Sequence, residues 1–178
     1  SNGSIMTAPN MKLRLKKIQK RGGKVVVIDP RKTETAKMAD SYVGIKPGTD
    51  ALFLAAFLNT IFEEGLVQAG RWQGFSDRLD PVKDAIQRFD AQAIGPICGI
   101  EPETIKSLAR EFATTKRAVL YGRLGICTQQ FGGLCAWLIN VINIVTNHLD
   151  EEGGAMFTQP AVDFVSISGL AGEKGHYD

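Results

Sequence analysis

The sequence contains few of the residues that build metal or nucleophilic sites. Three cysteines and two histidines stand among 178 residues, and no two cysteines form a C-x-x-C pair. This content excludes a disulfide scaffold, argues against a zinc or iron–sulfur site within the chain, and leaves no serine–histidine–aspartate set. Unpaired cysteines are typical of a reducing compartment, which favours a cytoplasmic over a periplasmic location.

Neither sign of charge dominates, and no long hydrophobic run is present. Lysine and arginine total 21 and aspartate and glutamate 19, so the net charge is +2. This balance excludes a strongly basic nucleic-acid-binding protein. No apolar run reaches the roughly 18 residues of a membrane-spanning helix. We therefore expect a globular domain of ordinary size, with no nucleic-acid partner and no membrane span.

Short strands alternate with helices in the pattern of the chain. Strands are predicted over residues 24–29, 42–45 and 118–121, and helices over about 9–21, 33–38, 51–64, 80–89, 91–97, 102–115 and 133–149. The apolar run 25–28, bounded by turn residues, is typical of a strand buried on both faces of a parallel sheet. The order of elements predicts an α/β fold with a mostly parallel sheet. We place this domain at residues 1–150, followed by an extended Gly-rich tail at 151–178.

The first candidate site follows the first predicted strand. Asp29 ends this strand and is followed by Pro30 and Arg31. In nucleotide-binding α/β domains, a carboxylate at this end of a parallel strand lies at the ligand crevice and accepts hydrogen bonds from ribose hydroxyls. The residues alone favour the alternative, a loop aspartate that caps the turn at Pro30. The G-x-G-x-x-G loop is absent, which argues against conventional NAD binding.

The second candidate site is the turn Gly48-Thr49-Asp50, before the predicted helix 51–64. Spacing alone favours an N-cap with a negative charge at the positive helix end, worth about 1 kcal/mol. The alternative is that Asp50 faces a crevice and accepts hydrogen bonds from a base with two adjacent N–H donors, as guanine has.

The third candidate site follows the predicted strand 118–121. Gly122 and Gly125 would let backbone amides approach a ligand closely. Arg123 could meet a phosphate, and Thr128 and Gln129 could donate hydrogen bonds to a heterocycle. A plain strand-to-helix connection with exposed polar residues explains the same pattern, and both interpretations stay open.

Several of these segments together resemble one enzyme family. They read VIDPRKTETA at 27–36, IKPGTD at 45–50, EEGL at 63–66, YGR at 121–123, TQ at 128–129 and LDEEGG at 149–154. Over roughly residues 3–160 the chain resembles the molybdopterin oxidoreductases, the family of formate dehydrogenases, nitrate reductases and dimethyl sulfoxide reductases. The resemblance implies a Rossmann-like α/β domain, with helices on both faces of the sheet and a first strand upstream of residue 1.

The resemblance also implies a cofactor and the residues that hold it. Such enzymes bind molybdenum or tungsten between two molybdopterin guanine dinucleotides. By analogy, Asp29 and Arg31 would lie at the guanosine end and Asp50, after Thr49, would pair with guanine. Five further residues would line the dinucleotide towards its pterin half: Gly122, Arg123, Gly125, Thr128 and Gln129. Residues 1–4 would end the loop after the missing first strand.

The chain departs from the family pattern in ways that limit its own activity. It has no N-terminal cysteine cluster, so we expect the iron–sulfur cluster in another domain of the parent enzyme, and it has no identifiable metal ligand. We expect no turnover from the chain alone, other domains of the parent as its partners, and an electron-transfer partner that the sequence does not identify. A strand edge left unpaired would also allow association with a second copy.

Two alternative functions belong to other classes. One is a nucleotide-binding piece of a different α/β enzyme, such as an NAD-dependent dehydrogenase, which would prefer adenine nucleotides. The other is a non-catalytic α/β interaction module, in which Asp29 and Asp50 would be held in local caps with no crevice between them.

Overall fold

Helices make up most of the described chain, which in this computed structural model comprises residues 4–74, 76, 78–157 and 161–162. The helices are α1 (Ser4–Thr7), α2 (Met11–Lys20), α3 (Glu34–Met38), α4 (Asp50–Glu63), α5 (Leu79–Ile86), α6 (Ala91–Cys98), α7 (Pro102–Thr114), α8 (Leu124–Cys127) and α9 (Gly132–Val145), with a short 3-10 helix at Arg71–Gly74. The strands are β1 (Val26–Asp29) and β2 (Ser41–Gly44). No described helix has the length and apolar character needed to cross a membrane.

The two strands form a parallel pair joined through α3. Val26 lies opposite Ser41, and Asp29 lies opposite Gly44. The connecting helix begins after Thr33, whose side-chain oxygen accepts a hydrogen bond from the Ala36 N–H at 3.2 Å. Because the strands are parallel, both carboxyl ends meet at one edge of the sheet.

The core is built around α4, which is apolar on nearly all sides. This helix packs against α6, α7 and α9. Leu58 and Ile61 of α4, Ile105 of α7, and Leu138 and Ile142 of α9 are fully buried at these contacts. Since α4 starts from the loop after β2, its amino end carries Asp50 to the edge of the sheet where the strands end.

The predicted strand at 118–121 is wrong. Val119 and Tyr121 are 49% and 66% exposed, and the backbone of Leu120 pairs with a side chain instead of a strand. The N–H of Leu120 donates to Asn143 Oδ1 at 3.0 Å, and Asn143 Nδ2 donates to the Leu120 carbonyl at 2.9 Å. The amide of Asn143 thus satisfies the groups that a neighbouring strand would have paired.

The α/β class is confirmed, with a helix-rich body and a small parallel sheet. In the described part of the chain the sheet has two strands, and β1 is half-buried instead of covered on both faces. The first strand expected upstream of residue 1 stays a prediction, and residues 1–3 lie outside the described residues. At the start of the predicted tail, 151–178, the chain turns back so that Ala155 bridges to Leu149 of the domain. Most of the remaining tail also lies outside the described residues, and the domain division stays a prediction.

Candidate functional site

The carboxyl edge of the sheet holds Asp29 in a local turn. Its Oδ1 accepts a hydrogen bond from the Arg31 N–H at 2.9 Å, which is the arrangement expected of an aspartate that stabilises a turn. Oδ2 accepts no hydrogen bond from the described residues. Asp29 is half-buried and Arg31 is exposed. One carboxylate oxygen therefore shapes the loop, while the other has no hydrogen-bond donor among the described residues.

Asp50 lies at the start of α4, but its side chain does not cap that helix. Thr49 occupies the N-cap position, and its hydroxyl donates to the Lys46 carbonyl at 2.7 Å instead of accepting from the helix. Gly48 before it has φ of 80°, a left-handed conformation that favours glycine. The carboxylate of Asp50 accepts a hydrogen bond from Gln129 Nε2 at 2.9 Å, across 79 positions of sequence. Its charge still lies at the positive end of α4.

The segment from Gly122 to Gln129 forms α8 and the turn after it. Arg123 is the half-buried N-cap residue of α8, and no hydrogen bond or ion pair joins its guanidinium to another described residue. The hydroxyl of Thr128 donates to the Leu124 carbonyl at 2.9 Å, so it is engaged within its own helix. Gln129 is therefore the residue of this segment that reaches the start of α4. It lies beside Asp50, the residue expected at guanine, whereas the resemblance implied a place towards the pterin half.

The two glycines of this segment have different surroundings. A Cβ at Gly122 would lie 2.6 Å from Ile139 Cδ1 and 2.7 Å from Ile126 Cγ2. Close packing of the chain against α8 and α9 therefore accounts for glycine at this position. A Cβ at Gly125 would meet open space, and φ there is not positive, so nothing in its backbone requires glycine.

Two buried thiols lie near Asp50, and sequence reasoning gave them no place in the site. Burial raises the pKa of Cys98 and of Cys135, and in both the negative charge of Asp50 adds to the rise. The Cys98 thiol donates to the Thr49 carbonyl, with sulfur and oxygen 3.6 Å apart. The surroundings of Asp50 thus contain neutral thiols, and no signal in the sequence linked these cysteines to the turn at 48–50.

An apolar groove of about 430 Å³ adjoins the turn that carries Asp50. It runs between α4, α5 and α9 and begins at Gly48 and Ala51, on either side of Asp50 in the sequence. Phe131 and Trp137 form part of its wall and are about half exposed. The polar edge around Asp50 and Gln129 therefore continues directly into an apolar surface.

Metal ligands are not gathered here or elsewhere in the described residues. In that part of the chain no group of three or more histidine, cysteine, aspartate or glutamate side chains is placed to hold a metal ion. The candidate residues together offer carboxylate acceptors, the guanidinium groups of Arg31 and Arg123, and backbone turns. This donor and acceptor set suits an organic ligand with polar edges and anionic groups.

Comparison with known proteins identifies relatives of the chain. It is 27% identical to the F420-dependent formate dehydrogenase subunit alpha of Methanocaldococcus jannaschii over 82% of its length, and this covers 22% of that protein. It is 30% identical to formate dehydrogenase H of Escherichia coli over 65% of its length, covering 16% of that protein. The chain thus spans about a fifth of the length of the curated relatives it matches.

The fold has a solved counterpart in the same group of enzymes. Acetylene hydratase from Pelobacter acetylenicus superposes with a TM-score of 0.72 at 25% identity, over 76% of this chain and 19% of that one. The family model described as molybdopterin oxidoreductase matches residues 4–175, nearly the whole chain. This match, together with the formate dehydrogenases found as relatives, shows that the chain belongs to the molybdopterin oxidoreductase family.

Proposed function

We propose that this chain holds the guanosine and pyrophosphate end of a molybdopterin guanine dinucleotide within a larger oxidoreductase. The observation that carries the proposal is the Asp50 carboxylate, which leaves its own helix uncapped and accepts an amide N–H from Gln129. An interaction module would have both Asp29 and Asp50 in local caps. Asp29 fits that description, whereas Asp50 does not.

The acceptor chemistry of Asp50 fits guanine. A guanine base presents a ring N–H and an exocyclic amino group side by side, and a carboxylate can accept from both. Asp50 already accepts from an amide nitrogen, and it is half-buried, where a charge-assisted hydrogen bond is stronger than in open water. Adenine presents an acceptor in place of the ring N–H, so Asp50 would select against it.

The other candidate residues suit the sugar and the phosphates. Asp29 Oδ2 accepts no hydrogen bond from the described chain and can accept from a ribose hydroxyl. Arg123 is half-buried without an ion pair to a described residue, and a guanidinium binds pyrophosphate oxygens well. Arg31, Thr49, Gly122, Gly125 and Thr128 complete the proposed set with backbone and rim contacts.

The cofactor, when bound, supplies redox chemistry through its molybdenum or tungsten, and the chain binds and orients it. We assign the substrate, the second dinucleotide, any iron–sulfur cluster and the electron-transfer contact to the rest of the parent enzyme. The relatives include proteins named formate dehydrogenase and acetylene hydratase. Their different chemistries are consistent with a shared cofactor-holding segment that does not itself choose the substrate.

The direct test is a titration of the purified chain with GDP and, separately, with ADP, followed by amide NMR shifts. We expect a millimolar dissociation constant, about 4 kcal/mol, because the rest of the cofactor site is absent. GDP should shift the amides of Asp29, Asp50 and Arg123, and ADP should shift them less. An equal or stronger response to ADP would favour an adenine-nucleotide enzyme, and no response to either would contradict nucleotide binding.

An Asp50→Asn variant tests the residue that carries the proposal. Loss of the charge and of one acceptor should weaken GDP binding by about tenfold to a hundredfold, in line with about 1.5–3 kcal/mol for a hydrogen bond to a charged group. The melting temperature should fall only slightly, because the side chain caps no backbone N–H and a charge at a helix end typically contributes about 0.3–1 kcal/mol. Asp84→Asn on the exposed face of α5 is the matched control. A variant that loses stability and keeps GDP affinity would contradict guanine recognition by Asp50.

A further inference from the structure

We propose that Gln129 is a positioning residue that fixes the Asp50 carboxylate so that its open side presents two acceptors to a guanine base. This inference rests on the proposed function and adds the residue that determines its selectivity. Gln129 does not need to touch the base in this role. It acts through Asp50, to which its amide nitrogen donates at 2.9 Å.

The turn that carries Gln129 is fixed at both ends. The N–H of Thr128 donates to the Leu124 carbonyl at 3.0 Å, and the N–H of Gly132 donates to the Gln129 carbonyl at 3.0 Å. A Cβ at Gly132 would overlap the carbonyl oxygen of Cys127. The backbone between α8 and α9 is therefore closely packed at this point. A side chain held on such a turn can fix its partner with little loss of its own freedom.

The helix that carries Asp50 is equally fixed. Its first turn packs through Ala51, Phe53 and Leu54, which are buried, and α4 packs along α9. The backbone positions of both partners are therefore set by the core. What remains free without Gln129 is rotation of the carboxylate about its own side-chain bonds.

Counting lone pairs shows that Gln129 and a base can bind at the same time. A carboxylate has about four lone-pair sites on its two oxygens. Gln129 uses one site on Oδ2, and no other described residue donates to either oxygen. A guanine that donates to both oxygens needs two more sites, so three of the four are used. The amide of Gln129 therefore supports the recognition geometry and does not have to leave.

The surroundings give Asp50 no alternative support. The nearby thiols of Cys98 and Cys135 are kept neutral by burial, and the Cys98 thiol already donates to the Thr49 carbonyl. Thr49 uses its hydroxyl on Lys46. The orientation of the carboxylate thus depends on Gln129 among the described side chains.

The experiment compares GDP with inosine diphosphate, which lacks the exocyclic amino group. Amide NMR titrations give dissociation constants for the wild-type chain and for Gln129→Met, which removes the donor and keeps the length of the side chain. Gln130→Met is the matched control, because Gln130 is exposed and makes no hydrogen bond to Asp50. Gln129→Asn, which withdraws the amide by one methylene, is a second variant in case the methionine variant does not fold.

We expect the wild type and Gln130→Met to prefer GDP over inosine diphosphate about tenfold. In both Gln129 variants the preference should fall towards one, because a rotating carboxylate no longer meets both donors. On the Asp50→Asn background, Gln129→Met should have no further effect, which a general structural role would not produce.

Two results overturn the proposal in distinguishable ways. An unchanged preference in the Gln129 variants, or tighter GDP binding once the amide is removed, overturns the positioning role while nucleotide recognition stands. A wild-type chain that does not prefer GDP over ADP overturns the proposed function and the role of Gln129 with it.

Discussion

A buried histidine, His148, joins the end of α9 to the end of α7. Its Nε2 lies 2.7 Å from the Thr115 carbonyl, so this nitrogen carries the proton and donates, and Nδ1 lies 2.8 Å from the Thr146 hydroxyl. The ring packs edge-on against Phe112, with centroids 4.8 Å apart. Burial lowers the pKa of His148 below its ordinary value of 6.5. The folded chain therefore prefers the neutral imidazole.

This shift predicts a loss of stability in mild acid. Below pH 6.5 the unfolded chain takes up a proton at His148 before the folded chain does, so stability falls as pH decreases towards the folded pKa. We expect the melting temperature of the wild type to fall more between about pH 7.5 and about pH 5.5 than that of His148→Gln. His176 is present in both proteins and cancels in the comparison. Equal falls would show that His148 is not the group responsible.

The sequence pointed to individual candidate residues, whereas their contacts could not be read from it. Asp50 and Gln129 were both candidates, yet their hydrogen bond depends on how α4 and α9 pack, and no local pattern carries that information across 79 positions. Gly122 was singled out for ligand approach, whereas Ile126 and Ile139 fill the space beside it. Whether the candidates bind a cofactor stays a prediction.

The segment before α8 depends on one side chain of α9. Asn143 is buried and holds both backbone polar groups of Leu120, at 3.0 and 2.9 Å, while it also donates to the carbonyl of Ile139. Removing this amide would leave the N–H and the carbonyl of Leu120 without their partner. A fully buried unsatisfied group costs about 1–3 kcal/mol, and because Leu120 is half-buried we expect each of its two groups to lie at the lower end of that range.

We therefore predict that Asn143→Leu lowers the free energy of unfolding by about 2 kcal/mol or more. Urea denaturation followed by circular dichroism measures it. Asn140→Leu is the matched control, since Asn140 is exposed on the same helix and surface substitutions usually change stability by less than about 0.5 kcal/mol. Similar losses in both variants would mean that the segment 118–121 is not held by Asn143.

Helices were predicted well and strands less so, for a physical reason. Helical periodicity repeats over ten or more residues, and Gly65, Gly99 and Pro102 mark ends that the structure reproduces within one or two residues. A run of four apolar residues, such as 118–121, carries no such redundancy. Such a run becomes a strand only if a neighbouring strand pairs with its backbone. Here the side-chain amide of Asn143 binds the backbone N–H and carbonyl of Leu120 instead.

At the scale of the described molecule, the buried side chains lie mainly in the helices, and both strands are at most half-buried. Length and composition predicted an ordinary globular domain, and the family match extends over nearly all of it. The relative sizes of sheet and helical core could not be predicted, because the sequence does not state which strands find partners. The described core lies between α4, α6, α7 and α9, with the two-stranded sheet at one side.

A pair of matched isoleucines tests this distribution. Ile105 of α7 is fully buried in the helical core, whereas Ile28 of β1 is half-buried and packs at its margin. We predict that Ile105→Ala lowers the free energy of unfolding by about 3–4 kcal/mol, because the cavity is enclosed on all sides. Ile28→Ala should cost less than half as much, since less apolar surface is involved. Urea denaturation measures both free energies, and they can be compared if the unfolding free energy depends on urea concentration with the same slope in each variant. A loss at Ile28 equal to that at Ile105 would mean that the side chains of the sheet contribute as much to the stability as those of the helical core.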